Sequence, residues 1–257
     1  MHTRLCIPRH LRLGLRDEAS LLCEPFTQWV IEDRFAGPRP AWEEAGALLT
    51  HDVRPYQAMK LRLLNGTHSA LAYLGQLRIR DTVSDAMADP LLGPFARRLM
   101  TDDLLATVIA PAAYDVQHYC KDLLHRFENP SLAHRTQQIA MDGTQKLPVR
   151  WLPALRESLA MGMERPCLER ALAAWLHYIA VRRADDGSPL TLSDPGADAI
   201  TRRMQAAGPA SNRARAALDH HAVFGYAPWP DDFLARLDRH MATLREGGAA
   251  ALLGNMG

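Results

Sequence analysis

The stretch that decides the fold is PYQAMKLRLLNGTHSALAYLGQLRIR, residues 55–80. Its apolar side chains recur at intervals of three and four residues, which is the spacing of one face of an α-helix. Pro55 suits the first turn of such a helix, because the backbone N–H that proline lacks would have no partner there. We therefore predict one long helix. The apolar positions are Met59, Leu63, Leu64, Leu71, Leu74 and Leu77.

Outward from this helix, most periodic segments also indicate helices, at about 115–127, 151–161, 167–183, 198–206 and 231–245. Turn-forming residues such as Asn129-Pro130 and Asp142-Gly143 separate them. Thr27–Ile31 is a short apolar run that fits a strand or a helix. The segment Asp185–Pro195 is a possible mobile junction, and the Gly- and Ala-rich tail from Gly247 is expected to fray. We predict a short N-terminal segment, 1–23, followed by one mainly α domain, 24–257.

Composition excludes several kinds of partner. Thirty basic residues against 29 acidic ones leave a formal charge of +1, which offers no general attraction to nucleic acid or an anionic membrane. No apolar run approaches the roughly 20 residues of a membrane span, and the charged N-terminus does not resemble a secretion signal. Four scattered cysteines without metal-ligand spacing are expected to be buried, reduced thiols. A cytoplasmic protein without a metal is the expectation.

The long helix also carries the residues best suited to chemistry: Lys60, Asn65 and His68. At 100° per residue, Lys60 and His68 lie about 80° apart and Asn65 about 60° from His68. A desolvated lysine can act as a general base, while an amide and an imidazole can donate hydrogen bonds to an oxygen that gains charge. A solvated face or satisfied core polar groups explain the same spacing, and more commonly. Gly66 favours the functional interpretation slightly, because a helical glycine costs ~1 kcal/mol and permits close approach by a ligand.

Further motifs appear in a fixed order along the chain. They are EPFTQWVIED at 24–33, RPAWE at 39–43, DVRPY at 52–56, RFENP at 126–130 and HRTQQIAMDGTQKLP at 134–148. Together with residues 60–69, they resemble the C-terminal domain of the mannitol dehydrogenase family in order and spacing. The resemblance extends from about Glu24 to the last helices and therefore covers nearly the whole chain.

The resemblance implies a helical substrate domain of a metal-independent oxidoreductase that uses NAD or NADP. Such enzymes interconvert a sugar alcohol or an aldonate with its ketose, of the mannitol/fructose or mannonate/fructuronate type. It makes Lys60 the general acid/base, and it makes Asn65 and His68 the groups that polarise the substrate carbonyl. It implies that Lys146 contacts the substrate. His134 and Arg135 could hold a hydroxyl or a carboxylate, although Arg135 is equally compatible with an ordinary surface position.

Two departures from the family pattern qualify these expectations. The family often has a carboxylate three residues before the lysine, where this chain has Gln57. The family's proteins also begin with a Rossmann-type domain, and Met1–Cys23 is too short to form one, so the nicotinamide is expected to bind mainly to that absent domain. The alternative is an inactive remnant or a helical module that binds a partner. In either case, the face normally covered by the absent domain could associate with another chain.

Overall fold

The computed structural model describes residues 26–111, 114–208 and 212–254, which fall into two compact units divided between Tyr56 and Gln57. In the first unit, strand β1 (Val30–Glu32) pairs in parallel with β2 (Leu48–Thr50), with Val30 opposite Leu48. The ambiguous run Thr27–Ile31 therefore contributes to a strand. The predicted N-terminal segment 1–23 lies outside the described residues.

The predicted long helix begins at Arg54, at the end of the first unit, and most of it belongs to the second. It consists of α1 (Arg54–Met59), a π-helical segment (Lys60–Gly66) and α2 (Thr67–Leu77). Met59 and Thr67, at the two junctions, both have right-handed helical backbone angles, so the helix continues through all three parts. The prediction is confirmed up to Leu77, except that its middle is wider than an α-helix.

The other five predicted helices are present, and several shorter helices that the sequence did not predict lie between them. Three short 3-10 turns, Trp42–Ala45, Leu105–Thr107 and Pro130–Leu132, and a second π-helical segment, Leu99–Leu104, accompany them. The α-helices are α3 (Val83–Ala88), α4 (Leu92–Arg98), α5 (Val116–Phe127), α6 (Thr136–Ile139), α7 (Gly143–Arg150), α8 (Leu152–Ala160), α9 (Pro166–Val181), α10 (Ala197–Ala206), α11 (Arg213–Leu218), α12 (His221–Phe224) and α13 (Asp231–Gly254).

Helix α9 is the centre of the second unit. Nearly every residue from Cys167 to Ile179 is buried, as expected for a helix that is apolar on all sides. It packs against α2 on one side and α13 on another. Between α2, α7 and α9 lie the fully buried rings of Tyr73, Trp151 and Trp175, which anchor the helix carrying the candidate site.

The tail does not fray over its described part, contrary to the sequence-based expectation. Helix α13 extends to Gly254 through a kink at Gly248, whose φ is +67°. The Asp185 carboxylate accepts a hydrogen bond from the Ala249 N–H at 2.9 Å and so caps the helix where it restarts. This cap comes from a distant segment, which is why local composition does not predict it.

The predicted junction at Asp185–Pro195 is held at both ends by tertiary hydrogen bonds. The Asp185 N–H donates to the Leu77 carbonyl at 2.8 Å. Near the other end, the Asp194 carboxylate accepts from the Thr144 N–H at 2.9 Å.

Helix α7 was not predicted, because Asp142-Gly143 and Pro148 indicate a break. Asp142 does adopt a left-handed conformation, but Gly143 immediately begins the helix. Of the cysteines, Cys120 and Cys167 are free and buried as expected, and the other two lie outside the described residues. Within the described ranges, no helix combines the length and apolar character that crossing a bilayer would require.

Candidate active site

The π-helical segment changes how the three candidate residues are arranged. On a regular α-helix, Lys60 and Asn65 would point about 140° apart, because five residues exceed one turn. In a π-helix the hydrogen bonds run from i to i+5, so residues five apart lie about one turn from each other. Asn65 therefore lies on the same side of the helix as Lys60, and His68 follows three residues later in α2. π-Helical turns inside α-helices are frequent at functional sites.

The end of α7 provides hydrogen-bond donors to this wide turn. The Trp151 Nε1–H donates to the Gly66 carbonyl at 3.0 Å. Arg150 Nη1 donates to Ser69 Oγ at 2.9 Å and, more weakly, to the Asn65 carbonyl at 3.4 Å. These donors stabilise carbonyl groups at the point where the helix widens.

The absence of a side chain at Gly66 allows Trp151 and Leu104 to approach the helix closely. The sequence had suggested that a ligand would approach at this position. A Cβ atom added at Gly66 would lie 3.4 Å from Trp151 Nε1 and 3.4 Å from Leu104 Cδ1. The neighbour of this glycine is therefore the indole that donates to its carbonyl.

Two polar atoms of the candidate residues are buried without a hydrogen-bond partner, Asn65 Oδ1 and His68 Nε2. The His68 ring lies against Phe127, with centroids 4.4 Å apart, and meets the His134 ring edge-on at 6.0 Å. A buried polar atom without a partner costs roughly 1–3 kcal/mol, so such atoms call for an explanation. Hydrogen bonds between these two atoms and an oxygen of the substrate would explain why both are buried.

Burial, with smaller contributions from the neighbouring His134, Arg150 and Arg126, lowers the pKa of His68 to about 3. The imidazole is therefore neutral near pH 7 and suits hydrogen bonding better than proton donation. Because the unfolded chain has the higher histidine pKa, this group favours the folded state above about pH 6.5. That contribution is lost progressively as the pH falls towards 3.

We expect the His68 ring to remain neutral down to about pH 4 in a pH titration followed by ring ¹⁵N and ¹³C chemical shifts, because its burial disfavours the imidazolium ion. The exposed His125 ring provides an internal reference. A His68 midpoint near pH 6 would show that the ring is hydrated and would contradict the site geometry described above.

Lys60 lies on the exposed side of the π-helical segment. The sequence-based mechanism requires a desolvated amine at this position. The described residues leave the side chain accessible to solvent, so they do not themselves provide that environment.

The other predicted residues divide into two groups. Lys146 is half-buried, its Nζ donates to the Ile139 carbonyl at 3.2 Å, and burial lowers its pKa. His134 is exposed but reaches the His68 ring. Arg135 instead lines a separate cavity of about 480 Å³ whose lining includes none of Lys60, Asn65 and His68.

Sequence reasoning missed Arg150, which contacts the backbone of Asn65 and the side chain of Ser69. It lies four residues after Lys146, hence on the same helix face. That spacing would have identified Arg150 if residues 143–150 had been recognised as a helix. Among the described residues, no group of three His, Cys, Asp or Glu side chains is arranged to hold a metal ion.

Fold and site together define a helical domain with a polar site on a π-helical turn. Comparison with known proteins identifies the family. A profile of the mannitol dehydrogenase C-terminal domain matches residues 52–244. The chain therefore belongs to the mannitol dehydrogenase family, which confirms both the resemblance and the mainly helical fold inferred from sequence.

Individual relatives support this assignment. Over 240 residues, the chain is 42% identical to the uncharacterized oxidoreductase YdfI of Escherichia coli and 39% identical to the D-mannonate oxidoreductase of that organism. Each match covers 93% of this chain and 49% of the relative. The Pseudomonas fluorescens mannitol 2-dehydrogenase, solved with NAD and D-mannitol, superposes with a TM-score of 0.82 at 33% identity, covering 91% of this chain and 47% of that one. The chain thus spans about half the length of these relatives.

Proposed function

We propose that this chain supplies the substrate-binding and proton-transfer residues of an NAD(P)-dependent oxidoreductase that interconverts a sugar alcohol or an aldonate with its ketose. The observation that carries the proposal is the pair of buried atoms Asn65 Oδ1 and His68 Nε2, which lack partners among the described residues and lie about one and two turns along the helix from Lys60. The similarity to D-mannonate oxidoreductase and to a mannitol 2-dehydrogenase that binds NAD and D-mannitol supports the same reaction class.

In the proposed mechanism, Lys60 in its neutral form accepts the proton of the substrate hydroxyl. Asn65 and His68 hold the oxygen by hydrogen bonds as the carbon to which it is attached becomes a carbonyl. A nicotinamide held mainly by residues outside the described ranges would supply the acceptor for the hydride that leaves this carbon. In the reverse direction, Lys60 returns the proton to the oxygen. His68 remains neutral throughout, as its low pKa requires.

Residues outside the described ranges are expected to bind most of the nicotinamide cofactor. The described residues form one two-stranded sheet and do not include a strand–turn–helix unit with the glycine-rich turn of a dinucleotide site. The exposure of Lys60 fits this division. We propose that bound substrate and the nicotinamide-binding half together exclude water from the amine.

A hybrid enzyme tests this proposal. Residues 24–257 would replace the homologous half of the E. coli D-mannonate oxidoreductase, to which they are 39% identical. We expect the hybrid to oxidise D-mannonate or D-mannitol with reduction of NAD, measured by absorbance. A folded hybrid that binds NADH but turns over neither sugar would favour the alternative, a helical domain that binds a partner without catalysis of its own.

The chain by itself should bind NADH weakly or not at all, because its described residues lack a dinucleotide site. Calorimetric titration of the 257-residue chain with NADH measures this directly. Micromolar binding of NADH by this chain would contradict the proposal that the cofactor binds mainly to residues outside it.

A further inference from the structure

Arg150 is a half-buried guanidinium group without a carboxylate partner. Its Nη1 atom donates only to neutral acceptors, Ser69 Oγ and the Asn65 carbonyl. Its Nε atom is buried and has no hydrogen-bond partner, and Arg150 forms no ion pair with any residue that the structure describes. Burying a charge without a counter-charge is unfavourable, so an anion from outside the described residues would stabilise this arrangement.

Three other partly buried guanidinium groups are each neutralised by a carboxylate. Arg156 is not, but its guanidinium lies 3.6 Å from the centre of the Trp229 ring and donates to two carbonyls. Arg213 shares with Arg150 a buried Nε atom without a hydrogen-bond partner among the described residues, but Arg150 is the one that contacts Asn65 and Ser69. The neutralised pairs are Arg62–Glu157, Arg78–Asp89 and Arg236–Glu169.

The uncompensated charge lies next to the candidate active site. Arg150 follows Lys146 by one helical turn, where like charges normally destabilise a helix. Burial lowers the pKa of Lys146 and Arg150 lowers it further, against smaller opposing effects of Asp142 and Asp194. Arg150 is also close enough to contribute to the low pKa of His68. Positive groups therefore surround the unpartnered atoms of Asn65 and His68.

A purely structural role accounts for only part of this arrangement. A cation in the last turn of a helix interacts favourably with the helix dipole, and Arg150 is the last residue of α7. That interaction does not require the Nε atom to be buried or left without a partner.

We propose that Arg150, with Lys146 beside it, binds the carboxylate of a sugar acid, so that the substrate is an aldonate and its keto acid instead of a neutral polyol. The planar guanidinium suits a carboxylate, and the ammonium group adds a second positive charge. This inference rests on the proposed function, because it places the reacting carbon of the same molecule at Asn65 and His68.

The test measures binding of two sugars to the full 257-residue chain by saturation-transfer NMR. D-Mannonate should bind at least about 10-fold more tightly than D-mannitol, and added salt should weaken only the D-mannonate complex. Arg150→Met should weaken D-mannonate binding roughly 10- to 100-fold and weaken D-mannitol binding much less, because only the carboxylate loses its charged partner. Arg150→Lys keeps the charge but loses the planar guanidinium. Its affinity for D-mannonate should lie between that of the unsubstituted chain and that of Arg150→Met.

Arg239→Met, at an exposed position of α13, is the matched control and should bind like the unsubstituted chain. Equal affinity for the two sugars, or absence of D-mannonate binding, would overturn the inference. So would a folded Arg150→Met chain with unchanged D-mannonate affinity. If Arg150→Met does not fold, the affinity of Arg150→Lys decides, and an unchanged value overturns the inference.

These measurements do not depend on turnover, so they separate this inference from the proposed function. A hybrid enzyme that oxidises D-mannitol but not D-mannonate would contradict the carboxylate site and leave the proposed reaction class intact. A hybrid that turns over neither sugar would contradict the reaction class, while the binding result for Arg150 would still stand.

Discussion

Replacing Lys60 with alanine is expected to lower kcat of the hybrid enzyme by roughly 10²- to 10⁴-fold, the usual range for a general acid/base. KM should change much less, because proton transfer is required in the transition state and not in substrate binding. The measurement is the initial rate of NADH formation at saturating substrate, together with its pH profile. We expect the pH profile of the alanine variant to differ from that of the unsubstituted enzyme, because the group that exchanges the proton has been removed.

A second substitution separates basicity from positive charge. Lys60→Arg keeps a cation of similar reach, but a guanidinium is not deprotonated in proteins and so cannot accept the substrate proton. Its kcat should be as low as that of the alanine variant. An arginine variant that keeps most of the activity would show that position 60 contributes charge alone.

Lys121 is the matched control for both substitutions. It is exposed on α5 and lies outside the candidate site, so Lys121→Ala should leave kcat unchanged. A comparable loss of activity in this variant would show that the assay reports general damage to the domain.

Gly143→Ala is expected to destabilise the second unit by about 3 kcal/mol or more, the upper range for inserting an atom into a packed core. The added Cβ would collide with Trp175 Nε1, lie 2.6 Å from Tyr73 Oη and lie 3.0 Å from Asp194 Oδ2. Both aromatic rings are fully buried, and Asp194 is held by Thr144, so none of these neighbours can move easily. The urea midpoint of unfolding should fall accordingly.

Gly66→Ala provides the contrast within the same unit. Its Cβ would make contacts of 3.4 Å, within ordinary van der Waals range, and alanine favours helical backbone by about 1 kcal/mol. We expect the free energy of unfolding to change by no more than about 1 kcal/mol. If Gly143→Ala unfolds at the same urea concentration as Gly66→Ala, the packing around α7 has been described incorrectly.

Local patterns predicted most of the fold because most of its helices are amphipathic or uniformly apolar. The helices that begin at Val116, Pro166 and Ala197 lie within a residue of their predicted starts. The shorter helices α3, α4, α6, α7, α11 and α12 were not predicted. Two of the differences show stabilisation from outside the segment. Helix α7 forms after a left-handed Asp142 in spite of an internal proline, and α13 restarts after Gly248 because Asp185 caps it.

The sequence by itself determined the helical class, the family and the positions of Lys60, Asn65 and His68, because these depend on periodicity and on local motifs. Only the tertiary structure decided how those residues share a face. Carbonyls of the π-helical turn accept hydrogen bonds from Arg150 and Trp151, distant residues that a local pattern does not contain. The low pKa of His68 and the uncompensated charge of Arg150 likewise result from burial among distant segments, which is a property of the packed chain.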